Sequence, residues 1–374
     1  MRFLAFAVLA LWALTLGRTI LNLLLVPRLR PGSMPRQTPR LSVIVPARDE
    51  ERTIERTVRA LLAQTYPDLE VVVVNDRSTD ATGAILDSIA DRRLIVVNGV
   101  EPPPGWLGKP HALHLGAGRA TGELLLFIDA DIIYAPDAVA AAVARLEESG
   151  ASMLSLLPHF ELHGFWEHVA IPNLLVVAFT MLPLWLANKT RIPLFGAGGG
   201  PGNLIRREVY DAIGGHESLK DAVVDDVALA RLVRRSGRRT EVALANDLIS
   251  LRMYHGAREI VDGFTKNAFA VFNRNYVAAI VVLLLALVTH ALPYALAVTG
   301  SLLGLVTVAL IVLSRVVLYT ALGYRLDNAL FGHIPMMLIW CWILIRSMWV
   351  TGVRRQLTWR GRTYDAKKTK FGAD

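Results

Sequence analysis

Two carboxylates separated by one residue, Asp129-Ala130-Asp131, follow directly on the apolar run Leu124-Leu-Leu-Phe-Ile128. In an extended chain, residues two apart point to the same side, so both carboxylates address one ion just beyond a strand. Hard divalent cations take oxygen ligands, and magnesium is commonly held by one or two carboxylates together with substrate phosphates. The chemistry so served is departure of a phosphate-bearing leaving group whose charge the ion neutralises. The expected ion is Mg2+ or Mn2+. Alone, an Asp-x-Asp pair is a weak signal. Two further acidic clusters precede it, Pro46-Ala-Arg-Asp49-Glu50 and Asn75-Asp76-Arg-Ser-Thr-Asp80, and each also closes a short apolar run. For Asp49 and Asp80 an ordinary helix cap is an equally open reading.

Downstream lies the glycine cluster Gly196-Ala-Gly-Gly-Gly-Pro-Gly202-Asn203. Its backbone is free to approach a sugar or phosphate and its amides to donate to oxygens; a plain flexible loop is the alternative. Val223-Val-Asp225-Asp226 then places paired carboxylates at a helix start. They are either a cap beside the positive end of the helix dipole or a general base that takes the proton from an attacking hydroxyl. Arg252-Met-Tyr-His255-Gly256 and Gly263-Phe-Thr-Lys266-Asn267 offer cations to a diphosphate. Basic side chains facing a membrane from an amphipathic segment are the competing reading for Arg252, His255 and Lys266.

The elements that must position these groups alternate. Leu41 to Pro46, Leu69 to Val74, Leu94 to Val97 and Glu123 to Ile128 read as buried strands, each short, apolar and rich in β-branched residues. Between them, Ile54, Val58, Leu61 and Leu62 give one helix its apolar stripe, the stretch after Asp80 a second, and Lys109 to Ala120 a third. Another helix starts at Pro136, and Asn203 to Arg206 is a further short strand. Strands alternating with helices imply an α/β domain with a mainly parallel sheet, in which ligands sit at the carboxyl ends of the strands. The acidic clusters fall at those ends.

Composition sets the rest. The chain has 374 residues, 53% hydrophobic and 19% charged, with formal charge +8 and mean hydropathy +0.41. That is too apolar for an ordinary soluble domain and too charged for a pure membrane bundle. The positive excess gathers at Arg28, Arg30, Arg36 and Arg40 and from Arg354 to Lys370, beside apolar runs, which favours membrane topology over nucleic acid. Residues 1–26 read as a transmembrane anchor, 27–40 as a linker, 41–275 as a cytoplasmic domain, 277–352 as transmembrane helices, and 353–374 as a basic cytoplasmic tail. Residues 165–187, interrupted by Pro172 and Pro183 and rich in Trp and Phe, suit a helix in the membrane interface, or else a buried helix of the domain. Three spans after a cytoplasmic domain would leave the basic tail outside, against the positive-inside rule, so one run is expected to be re-entrant or interfacial. His290 and Pro293 mark a bend. The single cysteine, Cys341, excludes a disulfide framework or zinc cluster.

Ser42-Val-Ile-Val-Pro-Ala-Arg-Asp-Glu50, Val73-Val-Asn-Asp-Arg-Ser-Thr-Asp80 and Phe127-Ile-Asp-Ala-Asp131 occur in order and resemble family 2 glycosyltransferases of the GT-A fold, over Leu41 to about Phe272. The resemblance implies that Asp49 and Asp76 contact the nucleoside, uridine in particular, that Pro46 shapes its pocket, and that Asp129 and Asp131 hold metal and diphosphate. Gly105-Trp-Leu-Gly-Lys109 is similar to the family's loop in which the lysine meets the donor. The family's Glu-Asp pair maps to Asp225-Asp226, with Asp226 the base and Asp225 a shortened counterpart of the glutamate. The Gln-x-x-Arg-Trp string of processive synthases is absent; Gln356-Leu-Thr-Trp-Arg360 has another order. Arg252-Met-Tyr-x-Gly, the Lys266-Asn267 pair and Trp359-Arg-Gly-Arg-Thr-Tyr364 instead resemble the membrane-bound members that glycosylate carotenoid or hopanoid-type lipids. The resemblance implies an inverting, metal-dependent transferase in a bacterial inner membrane, with a nucleotide-sugar donor and a membrane lipid acceptor. Two alternatives stand beside it. One is sugar transfer to a polyprenyl phosphate; the other is a transporter or sensor with a nucleotide-binding domain.

Overall fold

The computed structural model describes residues 2–354 and the backbone of residues 356–359 and 362–365. Most of the expected tail, including Arg360 and Gly361 of the Trp359 to Tyr364 motif, lies outside the described residues.

Ten strands build the domain: β1 (Leu41–Ala47), β2 (Leu69–Asn75), β3 (Leu94–Asn98), β4 (Leu124–Phe127), β5 (Ile132–Tyr134), β6 (Met153–Leu157), β7 (His159–Phe160), β8 (Asn203–Arg206), β9 (Thr240–Leu244) and β10 (Ile249–Leu251). The main sheet runs β3-β2-β1-β4-β8-β6-β9. β3, β2, β1 and β4 are mutually parallel, β8 is antiparallel to both its neighbours, and β9 is parallel to β6. The mainly parallel α/β sheet is therefore as expected, with one reversed strand. From β1 the chain first adds strands on one side, β2 then β3, and then places β4 on the other. That reversal opens a crevice at the carboxyl ends of β1 and β4. Central strand residues such as Val43 and Val71 on one face and Ile44 and Val72 on the other are wholly buried, so the apolar runs report burial on both faces. The Gly108–Arg119 helix lies close on the sheet: a Cβ at Gly116 would stand 2.5 Å from Ile44 Cγ2.

A second sheet, β5-β10-β7, stands just past the end of β4. Its register ends with Leu251 opposite Ile132, so Arg252 follows and Asp131 precedes the last pair of the ladder.

Among the described residues four helices are long and apolar enough to cross a membrane: Arg2–Leu25, Tyr276–Val298, Leu302–Leu322 and His333–Val353. The second has a widened turn at Leu287–Ala291, just before Pro293. Proline has no N–H for the carbonyl four residues back, and widening relieves its ring's clash with that carbonyl. The freed group, Thr289 O, accepts from Trp12 Nε1 at 2.8 Å. Residues 165–187 form three short helices broken at the two prolines, Phe165–Ala170, Asn173–Met181 and Leu184–Ala187. Leu175 and Phe179 are buried, Phe165, Val177 and Met181 exposed. Polar side chains of the first helix serve the backbone at these breaks: Asn22 Nδ2 donates to Phe179 O and Leu182 O, and Arg18 to Thr180 O and Met181 O.

The last long helix runs back along the second. Gly352 lies against Tyr276, at the start of the second helix, and Tyr276 Oη donates to Met348 O. At its other end His333 meets His290, with ring nitrogens 3.1 Å apart. From Tyr276 to His290 the rise is about 21 Å, leaving about 12 Å of the second helix beyond it. The preceding turn is tied to the domain, where Tyr324 Oη accepts from Phe160 N and Arg28 donates to Ala321 O.

Candidate active site

Charged side chains from three elements meet at the carboxyl end of β4. Lys109, in the first turn of the Gly108–Arg119 helix, places Nζ 2.7 Å from Asp129 Oδ1 and 3.4 Å from Asp225 Oδ1. Asp225 and Asp226 open the Asp225–Arg235 helix. With Gly200 and Asn203 these residues line one cleft. Asp225 is almost fully buried, Asp226 half-buried. Burial raises both carboxyls, and the neighbouring acids add to it, while Lys109 acts the other way. Burial alone would lower Lys109, but Asp129, Asp225 and Asp226 hold it well above the usual lysine value. Two carboxyls with raised proton affinity and a fixed ammonium thus share one partly dry site.

The glycine cluster closes this cleft. Asp129 N donates to Gly200 O, Asn203 Nδ2 to Gly199 O and Tyr134 Oη to Pro201 O. A Cβ at Gly200 would fall 2.0 Å from Asp129 Oδ2, and one at Gly198 2.2 Å from Asp226 O. Glycine is required here because the loop backbone presses directly on two acidic residues.

Asp129 and Asp131 are placed by a turn, since β4 ends at Phe127 and residues 130–131 bend the chain into β5. The alternating pleat invoked from the sequence does not extend through the pair. The bend is what brings Asp131 beside the Arg252 end of β10. Among the described residues no three His, Cys, Asp or Glu side chains form a metal cage. A half-exposed Asp129 whose carboxylate already holds a cationic ammonium fits a divalent ion shared with substrate phosphates.

The first two acidic clusters meet each other across the ends of β1 and β2. Thr79 N and Oγ1 donate to Asp49 Oδ1, and Arg48 lies 3.8 Å from Asp49 and 3.7 Å from buried Asp76. Asp49 itself has φ +53 and stands ahead of the Ile54–Leu62 helix, so it ties two loops together and does not cap that helix. Asp80 accepts from Glu51 N and from Thr82 N and Oγ1, and so ties the same two loops just ahead of the Thr82–Asp87 helix, whose cap residue is Ala81. Pro46 pairs with Val74 within the ladder. Trp106, His111 and His114 pack as an aromatic cluster beside the start of the Lys109 helix; only their ring types mark them in the sequence.

Arg252, His255 and Lys266 divide. Arg252 holds buried Glu167 through two contacts, at 3.0 and 3.2 Å, and Glu167 also accepts from His163 N and Gly256 N. Burial alone would raise Glu167; these donors bring it down to about 2. His255 is exposed at the start of the Gly256–Ala268 helix, and Lys266 lies in that helix's last turn. Glu167 was not foreseen: nothing near it in the sequence announces a partner 85 residues away.

Comparison with known proteins agrees with this geometry. Residues 42–214 match the model of glycosyl transferase family 2. The 4,4'-diaponeurosporenoate glycosyltransferase of Staphylococcus aureus strain MRSA252 is 31% identical over 233 residues, 61% of this chain and 60% of that protein. Its counterpart from strain USA300 is 30% identical over the same length. The chain thus spans about 60% of the length of these curated relatives. Among solved structures, a mannosyltransferase from Pyrobaculum calidifontis in complex with GDP-Man and Mn2+ superposes with a TM-score of 0.54 at 22% identity, over 94% of this chain and 99% of that one. Residues 42–214 are thus similar to glycosyl transferase family 2, on the GT-A fold, and are accompanied among the described residues by four apolar helices.

Proposed function

We propose that the chain moves a sugar from a nucleoside diphosphate donor to a hydroxyl of a membrane lipid, with inversion at the anomeric carbon. The observation that carries this reading is the convergence of Lys109, Asp129, Asp225 and Asp226 on one cleft beneath the glycine loop. Asp226 takes the proton of the acceptor hydroxyl as its oxygen bonds to the anomeric carbon and the bond to the diphosphate breaks. Lys109 faces the charge that develops on the leaving group, and Asp225 keeps Lys109 in place. Asp129 and Asp131 are the residues to hold Mg2+ or Mn2+, which when bound offsets the negative charge of the diphosphate. Asp49, Asp76 and Pro46 frame the end of β1 and β2, where the nucleoside belongs.

The lipid side of the reading is supported by the four apolar helices and by relatives named for transfer to 4,4'-diaponeurosporenoate. The last apolar helix is a partial span. It starts at the depth of His290 and returns to Tyr276, so the basic tail emerges on the side of the domain. A tail on that side accords with the positive-inside rule, which supports a domain and tail on the cytoplasmic face of the membrane.

The test is release of nucleoside diphosphate by purified, detergent-solubilised protein with Mg2+ or Mn2+. Uridine and guanosine diphosphate sugars are supplied with and without extracted membrane lipid. Lipid-dependent release that is lost in Asp131→Asn is expected, and Asp226→Asn lowers turnover by about 10²- to 10⁴-fold. Full activity of Asp226→Asn would move the reading to an acceptor that is already charged, such as a polyprenyl phosphate. No release from folded protein with any donor overturns the transferase reading.

A further inference from the structure

A cavity of about 610 Å³ opens between three helices, Phe165–Ala170, Gly256–Ala268 and His333–Ser347. Phe165, Trp166, Ala257, Val261, Leu338 and Trp342 are among its walls, and all its lining side chains are apolar. Its volume is within the ~300–1,000 Å³ of ordinary ligand pockets. We propose that this groove seats the apolar chain of the acceptor; this rests on the transferase reading and adds the acceptor's place to it.

Three observations select a single long-chain amphiphile as the occupant. The groove is open, and Phe165, Trp166, Leu338 and Trp342 on its walls are exposed, on helices that the apolar composition places at the bilayer. A chain slides in from lipid without crossing water.

Polar clips outside the groove hold its walls apart. Arg346 on the last helix pairs with Asp262 at 2.7 Å and donates to Thr265 on the Gly256–Ala268 helix. Trp340 Nε1 donates to Ala170 O, and Glu167 accepts from Gly256 N. A groove spaced by such contacts does not have to order itself on binding, which lowers the cost of taking a flexible chain.

The third observation is direction. The groove's Trp166 neighbours Glu167, Glu167 holds Arg252, and Arg252 directly follows Leu251, whose ladder partner Ile132 directly follows Asp131. An amphiphile with its chain in the groove has its polar end on the path to Asp131. A protein partner would need the groove but would gain nothing from that path.

The experiment uses full-length protein in lipid nanodiscs and a diazirine-bearing twenty-carbon isoprenoid alcohol as probe, with labelled peptides mapped after irradiation. Labelling is expected to concentrate on residues 165–170, 257–261 and 334–342. It is expected to fall at least fivefold in Leu338→Trp and in Ala257→Trp. Leu338 is exposed, so its variant keeps the fold even if Ala257→Trp does not. In the same two variants the apparent KM for extracted acceptor lipid rises at least tenfold, while slow donor hydrolysis by water is unchanged. Labelling spread evenly over the exposed faces of all four apolar helices, and indifferent to Leu338→Trp, overturns the proposal. Groove labelling in protein that transfers no sugar upholds the chain site and defeats only the transferase reading.

Discussion

Lys109 and Asp129 form a 2.7 Å ion pair across the mouth of the cleft, and the same ammonium reaches Asp225. One cation therefore compensates acids from two separate elements. Lys109→Met removes that compensation and leaves buried Asp225 beside half-exposed Asp129, a loss of at most about 3 kcal/mol. The expected result is a lower melting temperature in chelator and a larger rise on adding Mn2+ than the unmodified protein shows. Equal metal-induced shifts in the two proteins would show that Asp129 and Asp225 do not depend on Lys109.

Gly200→Ala tests the loop against the acid. Its Cβ would stand 2.0 Å from Asp129 Oδ2, and the clash is with a side chain that carries the proposed metal contact. Donor turnover should fall by at least tenfold at low Mn2+, with partial recovery at high Mn2+. A variant with unaltered metal dependence would mean that the loop yields without moving Asp129.

Acid sensitivity should come partly from Glu70, far from the cleft at the start of β2. Its buried carboxylate accepts from Ser42, Arg40 and Thr121. Burial raises it, and these donors outweigh burial to bring it to about 2. The folded value is below the unfolded one, so the stabilisation is complete above the unfolded pKa and disappears as pH falls through about 2. Its size is about 3 kcal/mol. Thermal melts of Glu70→Gln should therefore fall well below those of the unmodified protein at pH 7, and the gap should narrow steadily from pH 5 to pH 3. A gap of constant size at all pH values would remove Glu70 from this account.

Proteolysis of the C-terminus reads the partial span directly. A tag placed after Asp374 should be cleaved in inside-out membrane vesicles and protected in right-side-out ones. The reverse pattern would require His333–Val353 to cross completely.

The parts of the fold legible in the sequence are those written in local patterns. β1, β2 and β4 are continuous apolar runs, and Asn203–Arg206 ends where its run ends. β6 and β9 passed unmarked because five-residue apolar stretches such as Met153–Leu157 do not distinguish strand from helix. β5, β7 and β10 have two or three residues each and exist only through pairing. The same holds for the site. Asp129, Asp225 and Asp226 were visible as motifs, but the ammonium joining them belongs to tertiary structure. So does the Glu167–Arg252 pair. The spacing of Asp129 and Asp131 suggests a pleat, whereas a turn positions Asp131.

The Arg2–Leu25 helix is synthesised long before the segments that its polar side chains bond to. Trp12, Arg18 and Asn22 bond to Thr289, to Thr180 and Met181, and to Phe179 and Leu182. During synthesis these side chains wait, with polar groups unanswered, until most of the polypeptide has emerged. Until then lipid headgroups, water or the insertion machinery must answer them, so a helix made early is among the last to reach its final seat. Replacing it with a generic anchor would preserve attachment and forfeit assembly.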